Sequence, residues 1–184
     1  MDKKKIEKAV EMVLEAVGAN LKKKDIAATP RRVAQMYEEI LRGQNLDASK
    51  ELDIILEQKH DEIILLKDIP LYSMCEHHML PFLGRAYIAY IPDKRITGLS
   101  KIARVVDILA RRLQVQERLT TEIADVIMKK LKPKGVMVVI EAEHLCMSMR
   151  GIKKPGTLTT TSVVRGVFRS NQKTRQEALG LMKS

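Results

Sequence analysis

Cys75-Glu76-His77-His78 places a thiol and an imidazole three residues apart, at the end of a strand-like run that begins near Leu71. The other cysteine of the chain, Cys146, lies in Glu143-His144-Leu145-Cys146. Both cysteines and three of the four histidines fall in these two clusters, the distribution expected when distant strands converge on one metal ion. Cys75, His78 and Cys146 form a Cys2His set, one ligand short of a closed structural zinc site and therefore open to water. Zinc lowers the pKa of such a water to about 7 and supplies a nucleophile at neutral pH. His77 or His144 as a fourth ligand would instead make the site structural. Either cysteine alone could be a small buried hydrophobe. A histidine adjacent in sequence to a ligand tends to point elsewhere, which favours the open, catalytic arrangement.

Two further stretches suggest what an activated water would attack. Gly98-Leu99-Ser100-Lys101-Ile102-Ala103-Arg104 opens a helix with Lys101 and Arg104 on one face. Cations in a first turn oppose the helix dipole unless an anion sits there, so Ser100, Lys101 and Arg104 read as a phosphate cradle. The plainer alternative is a serine N-cap with solvated basic neighbours. Gln116 and Glu117 open the next helix, where a carboxylate is an ordinary partner of the helix dipole. A single carboxylate also matches the paired N1–H and exocyclic amine donors of guanine. Arg150, Lys153 and Lys154 add positive charge beside the second cluster. Together these features point to a purine nucleoside triphosphate as substrate.

The elements that must position these residues follow from periodicity. Apolar residues from Ile6 to Val17 recur at helical spacing before Gly18, and Thr29-Pro30 reads as an N-cap and first turn for a helix reaching Gly43. Residues 47–58, with Leu52, Ile55 and Leu56, suggest a short helix or turn. Residues 62–67, 71–75 and 84–91 read as strands, the first two separated by Pro70, with a loop over 75–83. Helices are expected from Ser100 and from near Val115, the latter ended by Pro133 and Gly135. Strands over 136–149 and 158–168 and a terminal helix over 171–182 complete the chain. Period two along the first of these strands puts His144, Cys146, Ser148 and Arg150 on one face if no bulge intervenes. The pattern predicts an α+β domain over 61–184: an antiparallel sheet, strand-strand-helix-helix-strand-strand, with two helices on one face. A helical region over 1–60 precedes it. A small sheet of this kind has exposed edges and is often completed by oligomerisation.

At 184 residues the chain is long enough for a real core plus a helical appendage. No apolar run approaches the roughly 18 residues of a membrane span, and the Lys-rich start lacks a secretory h-region, so a soluble cytoplasmic protein is expected. Two cysteines make no disulfide framework. The net charge of +10 indicates an anionic partner. Trp is absent and Phe occurs twice, so the aromatic platforms that stack single-stranded bases are nearly missing and nucleic acid is disfavoured.

The runs Cys-Glu-His-His (75–78), Gly-Leu-Ser-Lys (98–101), Gln-Val-Gln-Glu-Arg-Leu-Thr (114–120), His-x-Cys-Met (144–147) and Met-Arg-Gly (149–151) closely resemble GTP cyclohydrolase I. Thr-Pro-x-Arg-Val-Ala (29–34) and Thr-Thr-Thr-Ser (159–162) extend the likeness over most of the chain, in order. The resemblance implies the tunnelling fold and conversion of GTP and water to formate and 7,8-dihydroneopterin triphosphate, the first step towards folates and pterins. It implies Zn2+ on Cys75, His78 and Cys146, with water attacking C8 of the purine. His77 would be the proton donor and acceptor in ring opening, assisted by His144. Gln116 and Glu117 would hold the guanine edge. Ser100, Lys101, Arg104, Arg150 and Arg32 would hold the triphosphate. A decamer of two facing pentamers, with sites shared between subunits, is implied in the same way. Gln35 stands where some members carry a lysine near the triphosphate, Met79 replaces a residue that is often larger or β-branched, and Tyr87 stands where several relatives have histidine.

Overall fold

The computed structural model describes residues 1–53, 56–57 and 59–183, so Ile55 of the expected 47–58 element lies outside the described residues. Contacts group the chain into two units, Met1–Arg42 and Gly43–Ser184. The first holds helices α1 (Lys3–Ala16), α2 (Lys24–Ala27) and α3 (Thr29–Ile40). The Asp2 carboxylate caps α1 by accepting from Lys5 N–H at 3.0 Å, and Gly18 leaves the helix at φ +79°. Thr29 is not an N-cap. The short helix α2 runs directly into α3, so Ala28 holds the cap position and Thr29 is already helical. Pro30 sits in the first turn, where its missing N–H has no intrahelical use. The Lys3–Glu38 pair at 2.9 Å links α1 to α3.

In the second unit a 3₁₀ turn (Ala48–Leu52) precedes strands β1 (Leu56–Glu57), β2 (Ile64–Cys75), β3 (Pro81–Ile91) and β4 (Arg95–Ile96). Helix α4 (Leu99–Ala110), strand β5 (Leu113–Gln114) and helix α5 (Gln116–Leu131) follow. The chain ends with β6 (Gly135–His144), α6 (Leu145–Ser148), β7 (Leu158–Gly166), α7 (Val167–Ser170) and α8 (Gln172–Lys183). The main sheet has the order β5-β2-β3-β6-β7, antiparallel except where β5 pairs in parallel with the end of β2; β1 and β4 form a separate two-stranded pair.

Three strand expectations are corrected. Pro70 does not divide β2, because β5 reaches only Met74 and Cys75, and at Pro70 the side of the strand away from β3 has no β5 partner awaiting an N–H. The irregularity falls earlier, as a register shift between Leu66 and Ile69 with Asp68 at φ +53°. The strand expected over 136–149 stops at His144 and gives way to the helical turn α6. β7 ends at Gly166, whose φ of +58° turns the chain so that Val167 N–H reaches Lys134 O at 3.0 Å.

Alternation along β3 assigns the two faces of the sheet. Phe82, Ala86, Ile88 and Tyr90 pack with Val105, Leu109, Leu119, Ile123 and Ile127 of α4 and α5. Ala89 and Ile91 face the opposite way, with Met137, Phe168 and Ala178. The central helices thus share one face as expected, while the C-terminal helices cover part of the other. Each fully buried Leu or Ile contributes roughly 1.5–3 kcal/mol. Ala48 and Leu52 join the first core, and the second unit begins at Gly43 instead of at 61.

Candidate metal and catalytic centre

β2 delivers Cys75 to the end of the sheet, and a turn over 76–80 returns the chain into β3. Cys75 N–H donates to Leu80 O and Met79 N–H to Cys75 O, both at 2.9 Å, with Met79 at φ +52°. This closure brings His78 Nδ1 to 3.9 Å from Cys75 Sγ. On the neighbouring strand β6, His144 pairs in register with Phe82, and α6 winds Cys146 inward immediately after it. Among the described residues Cys75, His78 and Cys146 form one group whose ligand atoms all lie within 4.8 Å of one another. That spread suits one ion with bonds of about 2.0–2.3 Å to nitrogen and sulfur. Burial, then the Cys75 sulfur, push the Cys146 thiol up, while the Arg150 charge opposes them.

The helical turn replaces the single strand face expected for His144, Cys146, Ser148 and Arg150. Ser148 Oγ turns back to donate to Glu143 Oε1 at 2.6 Å, and the same carboxylate oxygen accepts from Gly156 N–H at 2.9 Å. These bonds, the Ser148 hydroxyl foremost, hold the Glu143 carboxyl below its ordinary range. Glu143 thereby anchors the basic loop that carries Arg150, Lys153 and Lys154.

Neither of the other two histidines in the clusters joins the ligand group. His77 is exposed, with Nε2 3.8 Å from Glu76 Oε1 and its ring edge-on to His78 at 6.2 Å. His144 is half-buried, stacked on Phe82 with centroids 4.7 Å apart, and its Nε2 lies 2.7 Å from Gln116 Oε1. Burial pushes His144 below the usual histidine range, and the nearby Glu117 charge opposes this. Gln116 is itself buried, with Nε2 donating into the sheet at Ile140 O and Thr159 O. The side-chain amide expected at the guanine edge is therefore turned inward, and Glu117 is the residue of that pair whose charge reaches His144.

The sequence reading missed the brace behind the turn. Glu76 accepts from Arg118 Nη2, and Glu76 N–H donates to Gln114 O at 3.0 Å. Arg118 also donates to Gln114 Oε1 at 2.9 Å and to Leu113 O at 3.0 Å. Arg118 holds the Glu76 carboxyl below its ordinary range. The available signal was the spacing of Gln114, Arg118 and Glu122, four residues apart on one side of the helix start.

The phosphate set lies elsewhere in the chain. Gly98, not Ser100, caps α4, and Ser100 is its second residue without a side-chain cap bond. Lys101 Nζ and Arg104 Nη1 each lie 3.6 Å from Glu51 Oε2. Ala110 O, at the other end of α4, accepts from Ser73 Oγ at 2.6 Å, two residues before Cys75. Ten residues of helix separate Ser100 from Ala110, about 15 Å at 1.5 Å per residue. One chain therefore brings together Cys75, His78, Cys146, His144, Gln116, Glu117 and Arg150, and holds Ser100, Lys101 and Arg104 at the far end of a helix. Arg32 belongs to α3 in the first unit.

The family model described as GTP cyclohydrolase I matches residues 6–183. The chain is 60% identical over 185 residues to GTP cyclohydrolase 1 of Thermoanaerobacter pseudethanolicus, covering 100% of this chain and 98% of that one. It is 58% identical, with the same coverage, to GTP cyclohydrolase 1 of Caldanaerobacter subterraneus subsp. tengcongensis. The GTP cyclohydrolase 1 of Listeria monocytogenes serotype 4b is 54% identical over 184 residues, covering 100% of this chain and 97% of that one.

Proposed function

The chain belongs to the GTP cyclohydrolase I family, and from its GTP cyclohydrolase activity we propose a zinc-dependent conversion of GTP and water to formate and 7,8-dihydroneopterin triphosphate. The observation that carries this reading is the convergence of Cys75, His78 and Cys146 within 4.8 Å beside His144 and Glu117. Two thiolates and one imidazole fit zinc and leave a coordination position open. When bound, zinc supplies Lewis acidity and lowers the pKa of water to about 7.

The chain's own residues do the rest. Glu117 accepts from N1–H and the exocyclic amine of guanine and so sets the purine's orientation. His77, exposed beside the ligand turn, gives and takes protons as the imidazole ring opens. His144 assists from a site whose burial disfavours its charged form. Arg150 neutralises phosphate charge from the loop anchored by Glu143.

Ser100, Lys101, Arg104 and Arg32 complete the triphosphate site. The 15 Å estimated along α4 supports a shared site, in which the start of one copy's α4 meets another copy's metal centre. Among the described residues β5 and β7 are the outer strands of the main sheet, each paired on one side only, and such edges support the same assembly, a decamer on the tunnelling fold. Among the described residues no helix is long and apolar enough to cross a membrane. A cytoplasmic enzyme opening folate and pterin biosynthesis fits this reading, with neither membrane nor nucleic acid as partner.

Replacing ligands separately from proton carriers tests the assignment. Cys146→Ala is expected to lose both metal and turnover, whereas His77→Ser keeps the metal and loses ring opening. Loss of zinc from His77→Ser would overturn the ligand set.

A further inference from the structure

Gln116 is 1% exposed, and both ends of its side-chain amide are engaged. Nε2 lies 3.0 Å from Ile140 O, 2.9 Å from Thr159 O and 3.1 Å from Thr161 Oγ1. Backbone carbonyls only accept, so the end facing them must be the NH₂ group; the reverse orientation would set the amide oxygen against two carbonyl oxygens.

The neighbouring hydroxyls require the same polarity. Thr120 Oγ1 donates to Gln116 O at 2.7 Å, which commits its proton. The 2.7 Å contact between Thr120 and Thr161 is then donated by Thr161, whose oxygen is left to accept from Gln116 Nε2. Gln116 Oε1 therefore faces His144 Nε2 at 2.7 Å. An amide oxygen only accepts, so His144 Nε2 must carry a proton. A neutral imidazole has one N–H, which leaves Nδ1 bare.

We propose that Gln116 is a positioning residue that fixes His144 as its Nε2–H tautomer, so that Nδ1 is the atom through which His144 accepts and returns protons during ring opening. Geometry alone places a proton on Nε2; a bare Nδ1 follows for the neutral ring, and the use of Nδ1 rests on the reading of His144 as an assistant in ring opening. A proton taken at Nδ1 gives an imidazolium whose Nε2–H still donates to Gln116, and its return restores the starting tautomer. Gln116 gains and loses nothing, because an amide oxygen cannot compete for the Nε2 proton as a carboxylate would. Stacking on Phe82 at an interplanar angle of 12° holds the ring plane through the cycle.

The test is solid-state ¹⁵N NMR of histidine-labelled, zinc-loaded enzyme. The chain has four histidines, and a His144→Gln sample identifies the His144 signals by difference. Protonated Nε2 with bare Nδ1 is expected at His144. A protonated Nδ1 with bare Nε2 overturns the proposal whatever the activity shows.

Gln116→Met supplies the kinetic test. Loss of the acceptor is expected to give mixed His144 tautomers and to lower kcat by about 100-fold, at the low end of what general acid–base groups contribute. KM for GTP should stay within about threefold of the parent. A raised KM with unchanged kcat would make Gln116 a guanine contact and overturn the positioning role. Thr161→Val leaves both carbonyls to orient the amide and should keep the single tautomer with kcat near the parent; mixed tautomers in this variant overturn the carbonyl-set polarity. An intact tautomer in the parent enzyme with no loss of kcat in Gln116→Met contradicts the use of Nδ1 while leaving the zinc reading untouched.

Discussion

Arg118 braces the turn that carries Cys75 and His78, two of the proposed ligands, through its bonds to Glu76, Gln114 and Leu113. Arg118→Ala removes the donor to the Glu76 carboxylate and the donors to Gln114 Oε1 and Leu113 O. Gln114 is 1% exposed and keeps only its Nε2 bonds, to Leu109 O and Glu122 Oε2. A buried acceptor left without its partner costs about 1–3 kcal/mol. For a chain of this size that corresponds to a fall in Tm of roughly 2–12 °C. The turn over 76–80 would keep Glu76 N–H on Gln114 O but lose its side-chain brace, so Cys75 and His78 should meet the ion less well aligned. Changes behind a metal's ligands typically weaken binding by about 10–100-fold. Arg118→Lys restores a cation for Glu76 without the fork that reaches Gln114, and should fall between parent and alanine variant in metal affinity. Titration with Co²⁺, read by the thiolate-to-cobalt charge-transfer band, measures that affinity separately from Tm. A lowered Tm with unchanged Co²⁺ affinity and band position in Arg118→Ala would show that the brace serves stability alone and has no hold on the metal turn.

Glu117→Gln turns one acceptor into a donor facing a guanine donor, which should cost about 1–3 kcal/mol, or about 5- to 150-fold in kcat/KM for GTP; unchanged kinetics would remove Glu117 from the purine site. The Glu143 carboxyl is held below its ordinary range in the fold, so the stability it contributes is present above its unfolded value of about 4.3 and is lost as pH falls through its lower folded value. The Tm difference between metal-free parent and Glu143→Gln should therefore be largest near neutral pH and close in acid, and a gap constant from pH 7 to 3 would contradict this. Aerobic chelation should join Cys75 and Cys146, the only two cysteines, because their sulfurs already share one cluster. Intact mass and thiol titration under denaturing conditions read that bond, zinc with reductant should reverse it, and two thiols surviving prolonged aerobic chelation would argue against a shared ion.

The grouping of Cys75, His78 and Cys146 was legible because Cys75-x-x-His78 is a local pattern whose spacing survives any tertiary arrangement, and because the second cysteine has a histidine two residues before it. Element order was legible for the same reason, since helical and strand periods are written over ten or more residues. What escaped was set by short-range backbone geometry or by distant partners. The turn at Leu145–Ser148 spans four residues, too few for a period to reveal, and its apolar and polar residues also fit a continuing strand. Pro70 looked like a break because whether a proline's missing donor matters depends on the partner strand beside it. Gln116 reads from the sequence only as the opening of a helix, and the convergence of Ile140, Thr159 and Thr161 shows that its amide is turned into the sheet. The separation of Ser100 from Cys75 follows from the pairing of Ser73 with the end of α4, a contact between residues 37 apart in the chain.

In the proposed reaction this chain opens the purine ring of GTP at a zinc held by Cys75, His78 and Cys146. The most direct measurement follows formate release from GTP by zinc-loaded protein, together with the oxidised pterin product by fluorescence. Equimolar formate and pterin from the parent, and neither from Cys146→Ala under the same zinc loading, is the expected result. Sustained turnover by Cys146→Ala at the parent's rate, or pterin without stoichiometric formate, would contradict it.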